Sequence, residues 1–443
     1  MPTNSSLLTR SVMAALIAAL VAATGARGQD PDEVRIGLTY QPGYVPALAV
    51  APVKAAPGLE QVAREAEEIL RRDLDYSDRF EMIETPEGLG SNGPVNYALW
   101  SQLEAVWLVT ADVSGSPSAP ILRVGLHDVV YETLKDVRAF SLPALDAAGH
   151  RMAVHGASDA VVEWATDGES GMAATRIAFR RRMEDGTSQL FIIDSDGENQ
   201  RRLSSDRGIV STPALSPDGS RIAYGWQDMA AGNTAVYELD LSTGRKRTVS
   251  ADPGLNYTPA YTPDGSLAFG KSVDPIRTEI FETGRGQLTT TRNGVALNPT
   301  FSPDGRRMAF EASPLGTQQI YVQPRTGGSP RLISIYVRGE RTSAAEPDWS
   351  PRGDRIAYAA WSGGVFQIFS VNPDGTDRRV LTSRGNNEQP SWAPDGRHLV
   401  FHSTQRTGHG LWILDTVSGR ARILVSGHVD ETPDWSGSLE PQR

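Results

Sequence analysis

The sequence predicts a mainly β protein with an α/β front domain, in which a six-bladed β-propeller is closed by the C-terminal strand. The main observation is a unit that recurs roughly every 40 to 48 residues, as repeat architectures do. Each copy has a proline, a large apolar residue and a Pro-Asp-Gly or Pro-Arg-Gly turn, followed by an apolar stretch. The five copies span 212–219, 258–265, 298–305, 346–353 and 389–396.

The turn in each copy predicts a hairpin. Proline presets φ, aspartate can hydrogen-bond nearby backbone, and glycine takes a left-handed position. The flanking runs are therefore predicted to be two strands, with the glycine as a candidate bulge. Two further strands follow, and four strands per unit make one propeller blade. The third strands are predicted at 190–193, 236–239, 279–281, 319–322, 367–371 and 411–414.

The number of blades follows from counting second strands. One lies at Ile177-Ala178-Phe179, and five more follow the repeated turns. The first has no hairpin before it, whereas 432–436 is a first strand with no blade after it. The C-terminal strand is therefore predicted to complete the first blade of a propeller spanning 170–437. Such closure leaves few exposed sheet edges.

The first 28 residues are predicted to be a signal peptide. Arg10 supplies the positive charge that precedes the apolar segment of a signal peptide. The apolar run 11–23 has the length typical of a signal peptide and is short for a membrane span. Small residues at Ala26 and Gly28 place the mature start at Gln29. The alternative is an uncleaved anchor helix.

Composition narrows the classes of partner. The formal charge is −10, or about −12 once Arg10 and Arg27 are removed, which disfavours non-specific binding of nucleic acid. The chain has no cysteine, so no disulfide can form and no lipid can be attached to one after the leader. No later segment is apolar for long enough to cross a bilayer. The mature protein is expected to be soluble.

Residues 29–165 alternate between strand and helix patterns, which predicts a small α/β domain. In the clearest helix, apolar residues recur at helical spacing from Leu59 to Leu70, and charges such as Glu68 and Arg72 form i,i+4 pairs that are interpreted as a solvated outer face. The remaining predicted elements are strands at 34–40, 47–51, 80–83, 105–111, 121–127 and 137–142, and helices at 97–103 and 152–164.

The sequence offers little for catalysis. It has no Gly-x-Ser-x-Gly elbow, no cysteine nucleophile and no His-Glu-x-x-His pair. His398 and His402 flank a predicted strand and are interpreted as structural or exposed rather than as metal ligands. The aspartates of the repeated turns are interpreted as turn residues, because one copy has Arg352 instead. No catalytic residue, cofactor or metal ion is therefore predicted.

The large residue two positions after each repeat proline is predicted to pack between blades, because buried aromatic residues mainly contribute apolar area. The alternative is that these side chains stack on a ligand. They are Leu215, Tyr261, Phe301, Trp349, Trp392 and Trp435.

Together these features resemble the TolB family of the Tol–Pal cell-envelope system of Gram-negative bacteria. The repeats alone are weakly specific, but their combination with the front domain is much more so. Glu33–Ile36 is similar to the family's mature N-terminus, and 48–53 to the strand that follows it. Residues 151–163 are similar to its second helix, and 175–179 to its entry into the propeller.

The resemblance implies a periplasmic, non-enzymatic scaffold that is peripheral to the envelope and supports outer-membrane integrity and cell division. It implies binding of the peptidoglycan-associated lipoprotein at one propeller mouth, and of TolA through a mobile N-terminus, here Glu33, Val34, Arg35 and Ile36. If the first strand of each blade lines the channel, the two residues before each repeat proline surround that mouth. They are Ser211, Thr212, Tyr257, Thr258, Leu297, Asn298, Ala345, Glu346, Glu388, Gln389, Glu431 and Thr432.

Three alternatives stay open at this level. The mouth residues could be ordinary loop residues, since surface loops are polar by default. The propeller could be a hydrolase or an enzyme-accessory module, which would place clustered acid–base residues in the channel. The chain could also be a generic interaction module.

Overall fold

The computed structural model describes residues 44–86, 89, 94–291, 294–339, 342–406 and 408–439. Their helices and strands all belong to Val45–Arg443, one of the two compact units into which the chain divides. The strand predicted at 34–40 and the predicted TolA segment Glu33–Ile36 lie outside the described residues. Within that described part, no helix is both long enough and apolar enough to cross a bilayer.

The front domain is a mixed sheet with helices on both faces. Its elements are β1 (Ala47–Val50), β2 (Lys54–Ala55), α1 (Glu60–Tyr76), β3 (Glu81–Ile83), α2 (Tyr97–Gln102), β4 (Trp107–Ser116), β5 (Ala119–Asp128), β6 (Thr133–Ser141) and α3 (His150–Ala165). The strand order is β3-β1-β4-β5-β6, with β2 beside β4. The β1 strand runs parallel to β3 and β4, whereas β4, β5 and β6 are antiparallel neighbours.

The core of this domain lies between the sheet and the pair α1 and α3. Alternation along β1 sends Leu48 and Val50 into this core and Ala49 to the opposite face, where it packs with Trp100 of α2. The strands predicted at 121–127 and 137–142 correspond to β5 and β6, which pair antiparallel with Leu122 opposite Phe140.

The interpretation of the α1 charges as a solvated face is wrong for Arg72. Its guanidinium lies 2.9 Å from Asp196 Oδ2, on a turn of the propeller. The helix continues beyond Arg72, the last residue of the predicted charge pairs, as far as Tyr76, which carries it to the propeller surface. Local spacing fixes which side of a helix is polar, but it cannot show that another domain covers that side.

The strands from β7 to β30 form six four-stranded blades around a channel. Blade 1 contains β7 (Arg176–Arg182), β8 (Ser188–Asp194), β9 (Arg201–Arg202) and β30 (Asp430–Trp435), and blade 2 contains β10 (Ile209–Leu215), β11 (Arg221–Gln227), β12 (Thr234–Asp240) and β13 (Lys246–Ser250). Blade 3 contains β14 (Asn256–Tyr261), β15 (Leu267–Asp274), β16 (Arg277–Glu282) and β17 (Gly286–Gln287), and blade 4 contains β18 (Ala296–Phe301), β19 (Arg307–Ala312), β20 (Gln319–Pro324) and β21 (Arg331–Leu332). Blade 5 contains β22 (Ala344–Trp349), β23 (Ile356–Ser362), β24 (Val365–Val371) and β25 (Arg379–Val380), and blade 6 contains β26 (Asn386–Trp392), β27 (His398–Gln405), β28 (Gly408–Asp415) and β29 (Ala421–Ser426).

The ring is closed by its last strand, as predicted. The β30 strand pairs antiparallel with β7, which places Trp435 opposite Ile177. Asp430 accepts two hydrogen bonds from the buried Arg181 guanidinium, at 2.6 and 2.8 Å, and the Trp435 indole N–H donates to Thr175 Oγ1 at 2.8 Å. The predicted fold class is therefore confirmed, whereas the limits 1–28, 29–165 and 170–437 stay predictions.

The repeated turns have the predicted conformation, but the bulge lies elsewhere. Gly219 has φ of 65°, and the Asp218 carboxylate accepts a hydrogen bond from Ser220 N at 3.1 Å. The register of β10 against β11 shifts between Ser211 and Ala214, at the repeat proline, and the other five first strands shift at the equivalent place. Proline has no N–H for the ladder, so pairing breaks there and not at the glycine.

The large residue of each repeat packs between neighbouring blades, which confirms that prediction. Phe301 of blade 4 lies in one buried cluster with Ile280 of blade 3, and Trp349 of blade 5 lies in another with Ile320 of blade 4. Tyr261 donates a hydrogen bond to Glu238 of blade 2 at 2.7 Å.

Candidate functional site: the channel mouth

The first strands of the six blades surround a cavity of about 200 Å³. It is lined in every blade by the residue before the repeat proline, by that proline and by the residue after it. The first of these, which we call the bulge residues, are Thr212, Thr258, Asn298, Glu346, Gln389 and Thr432. All six have left-handed backbone, with φ from 37° to 61°. Such conformations are uncommon for residues other than glycine and concentrate at binding and active sites.

The other six predicted mouth residues lie one position earlier and do not line this cavity. We call them the ladder residues, because each still pairs with the second strand of its blade. The pairs are Ser211 with Gly225, Tyr257 with Gly270, Leu297 with Glu311, Ala345 with Ala359, Glu388 with His402, and Glu431 with Arg180. The predicted site residues therefore form two sets: the bulge residues line the cavity, and the ladder residues lie outside it.

The ladder residues of blades 3 and 4 form an apolar part of the mouth. Leu297 lies over Gly270, where an added Cβ would come within 2.4 Å of Leu297 Cδ2. Tyr257 likewise lies over Gly225, at 3.5 Å from the place of a Cβ. The two glycines thus make room for the larger side chains that blades 3 and 4 place at the mouth.

Blades 5, 6 and 1 contribute carboxyl side chains to the mouth. Burial raises the pKa of Glu346 to about 8, and the charges of Glu311 and Glu388 add to the shift. Burial also raises the pKa of Glu388, against a hydrogen bond from Asn386. Glu431 is instead neutralised by the Arg180 guanidinium, 2.7 Å away. The mouth therefore combines an apolar sector with a carboxyl-rich one.

Several bulge residues are joined into a belt between blades. Asn298 N donates to Thr258 Oγ1 at 3.1 Å, Gln389 N to Glu346 Oε2 at 3.0 Å, and Thr432 N to Gln389 Oε1 at 2.7 Å. The hydroxyls of Thr432 and Thr212 are buried and have no hydrogen-bond partner within the described ranges. The belt is therefore open on both sides of blade 2, toward blade 1 and toward blade 3, and two buried hydroxyls there lack the partner that such groups normally have.

A second belt, which the sequence reasoning missed, lies one step deeper in the channel. Asp434 Oδ2 accepts from Leu215 N at 2.6 Å, Asp348 Oδ2 accepts from Trp392 N at 2.7 Å, and Trp435 N donates to Ser391 Oγ at 3.0 Å. Burial raises the pKa of Asp348 to about 6 and that of Asp434 to about 8. The signal was the residue after each repeat proline, which is small in all six blades: Ala, Ser, Thr or Asp.

Among the residues that the structure describes, two clusters outside the channel have the composition of metal sites. They are Asp73 with His155 and Asp196, and Asp78 with His398 and Asp415. Arginines already contact their carboxylates: both oxygens of Asp415 accept from Arg397, and Asp196 lies beside Arg72 and Arg151. Guanidinium groups there oppose a further metal cation, so the geometry favours ion pairing.

The comparisons with known proteins agree with this architecture. The sequence pattern of the TolB amino-terminal domain matches residues 37–134. The pattern of the TolB beta propeller domain matches residues 164–439, more than half of the chain. The chain belongs to the TolB family.

Individual relatives cover most of its length. The chain is 29% identical over 383 residues to the Tol-Pal system protein TolB of Bordetella parapertussis, and the match covers 83% of each protein. The crystal structure of TolB from Acinetobacter baumannii has a TM-score of 0.76 and 25% identity, over 89% of this TolB-family chain and 98% of that one. Hydrazine synthase from Kuenenia stuttgartiensis, with 15% identity, a TM-score of 0.50 and coverage of 60% and 47%, shares the fold alone.

Proposed function

We propose that this TolB-family chain is a periplasmic, non-enzymatic scaffold of the Tol–Pal system. It binds the peptidoglycan-associated lipoprotein through the propeller mouth and TolA through Glu33–Ile36, and so supports outer-membrane integrity and cell division. The observation that carries the proposal is the match to both family domains along one chain, because the propeller repeat alone is shared with unrelated proteins.

The geometry of the mouth supports the first contact. The bulge and ladder residues lie where the first strands begin, whereas the front domain contacts the opposite face, which carries the repeated turns: Asp78 of the front domain contacts His398 beside the turn of blade 6. The front domain therefore does not cover the mouth. Its aromatic, apolar and carboxyl groups have the mixed character of a wet, non-obligate protein interface.

The proposal is tested by measuring the affinity of the purified lipoprotein for the full chain by calorimetry. We expect Glu388→Arg with Glu431→Arg to raise Kd at least tenfold, which is about 1.4 kcal/mol. Both changes reverse a charge in the acidic sector of the mouth. Because Arg180 pairs with Glu431, the milder Glu388→Gln with Glu431→Gln is measured beside it.

The matched control is Asp354→Arg with Glu163→Arg. These residues are exposed, lie away from the mouth, and produce the same change in net charge. Equal affinity for the mouth variant and the control would remove the mouth as the site. For the N-terminal contact, deletion of 33–36 is expected to abolish binding of TolA and to leave binding of the lipoprotein unchanged.

A further inference from the structure

The front domain and the propeller meet in a contact that is rich in charge, here called the domain joint. Arg397 of blade 6 donates to the backbone carbonyl of Asp78 at 2.7 Å, and Arg420 donates to Asp78 Oδ1 at 3.1 Å. On the other side, Arg72 of α1 lies 2.9 Å from Asp196 of blade 1. Each of these two sets of charged residues surrounds a buried histidine.

The first of these, His398, is fully buried and has carboxylates on both sides. Its Nδ1 lies 2.6 Å from Asp395 Oδ2, within its own blade. Its Nε2 lies 3.2 Å from Asp78 Oδ2, in the front domain. Ionised carboxylates only accept hydrogen bonds, so both ring nitrogens must donate, and only the protonated imidazolium can do this. The hydrogen bond between His398 and Asp78 across the joint therefore depends on one proton.

The second, His155 of α3, is also fully buried. Its Nδ1 lies 2.8 Å from Asp73 Oδ2, and its Nε2 lies 3.7 Å from Asp196 Oδ2 of the propeller. That Nε2 has no hydrogen-bond partner in the described part of the chain. If it carried no proton, its lone pair would face a carboxylate across the joint. With a proton it would carry a positive charge toward that carboxylate.

The surrounding charges favour protonation of both rings. Burial by itself would lower the pKa of His398 and of His155, but Asp395 and Asp73, the nearest carboxylates, outweigh it and raise both pKa values above 6.5. The groups that face His398 are Asp395, Asp415, Arg397 and Arg420 of the propeller and Asp78 of the front domain; those that face His155 are Arg72 and Asp73 of α1, Arg151 and Asp159 of α3, and Asp196 and Arg422 of the propeller.

We propose that His155 and His398 make the attachment of the front domain to the propeller pH-dependent, so that losing their protons loosens the joint. The proposal does not rest on the proposed partners. In an open joint each ring keeps the carboxylate of its own domain, Asp395 or Asp73, and loses only the one across the joint. Its pKa is therefore lower in the open joint than in the closed one. The stabilisation is complete below the pKa of the open joint and is lost as the pH rises through the raised pKa values of the closed joint.

The test is hydrogen exchange of the full chain from pH 6 to pH 9, corrected for intrinsic exchange rates. We expect the opening constant of amides at 73–79 and 395–398 to rise about tenfold for each unit by which the pKa of the closed joint exceeds that of the open joint. Amides of β19, away from the joint, serve as the reference. Side-chain ¹⁵N shifts of His398 are expected to show both nitrogens protonated at pH 7.

Three variants separate the contributions. His398→Asn is expected to remove most of the pH dependence at 395–398, whereas His428→Asn, at an exposed position, should leave it unchanged. Asp78→Asn keeps the imidazole and should lower its pKa, which tests the proposal even if His398→Asn does not fold. Corrected protection at the joint that is equal at pH 6 and pH 9, or His398 titrating at or below 6.5, would overturn the proposal.

Discussion

The residue before each repeat proline carries four different side chains around the ring, as Thr258, Asn298, Glu346 and Gln389 show. Its left-handed backbone is nevertheless the same in all six blades. The bulge thus fixes where a side chain enters the channel, and the residue type decides which chemistry is presented there. Sequence variation at this position changes what a partner meets without changing the fold.

Asp434 should make the stability of the protein depend on pH. Burial raises its pKa from 3.8 to about 8. Between these values the unfolded chain has lost this proton while the folded chain keeps it, so the free energy of unfolding falls as the pH rises. Asp434→Asn keeps an acceptor for Leu215 N and cannot ionise. Its stability relative to the wild type is therefore expected to increase from pH 4 to pH 8 in urea titrations.

Asp348→Asn is the matched comparison, because burial raises the pKa of Asp348 only to about 6. Its relative gain is expected to level off near pH 6, whereas that of Asp434→Asn continues to about pH 8. Identical pH profiles for the two variants would contradict the assignment of separate environments to these carboxyls.

At the scale of elements, blades 3 and 4 are tied together by one arginine. The buried Arg325 guanidinium, which follows β20, donates to Glu282 of β16 at 2.6 and 2.9 Å and to Asp264 at 2.8 Å. Glu282 is itself buried, so loss of the guanidinium leaves a poorly compensated charge in the interior. Arg325→Met is expected to destabilise the protein by about 3 kcal/mol in chemical denaturation.

Arg285 supplies the control for this prediction. It also contacts Glu282, at 3.3 Å, but its side chain is 46% exposed. Surface pairs contribute little, so Arg285→Met is expected to cost less than about 1 kcal/mol. Equal losses for the two variants would show that burial does not decide the strength of these pairs.

The elements differ in how far sequence could predict them. Hairpins were predictable because Pro-Asp-Gly acts locally, and the blade cores because large residues recur beside it. The bulges were not, since Thr212 and Gln389 have no intrinsic preference for left-handed backbone and the ladder imposes it. The domain joint was also missed, because Arg72 and Asp196 are distant in sequence. Only Asp395 and His398, three residues apart, offered a local signal.

At the level of the whole propeller, the pairing of β30 with β7 closes the six blades into one ring. A chain that ends at Gly427 would lack β30 and leave the edge of β7 unpaired. We expect it to unfold at lower temperature and to aggregate, because an exposed strand edge pairs with other chains. A chain that ends at Leu439 keeps β30 and serves as the control. Equal melting curves for both would show that closure contributes little.

The central claim is that a lipoprotein partner binds at the mouth and not on the turn face. It is tested most directly by site-specific photo-crosslinking, with p-benzoylphenylalanine placed at Tyr257 on the mouth or at Val417, an exposed residue of the β28–β29 turn. We expect a crosslink to the peptidoglycan-associated lipoprotein from position 257 and none from position 417. A crosslink from position 417 with none from position 257 would contradict it.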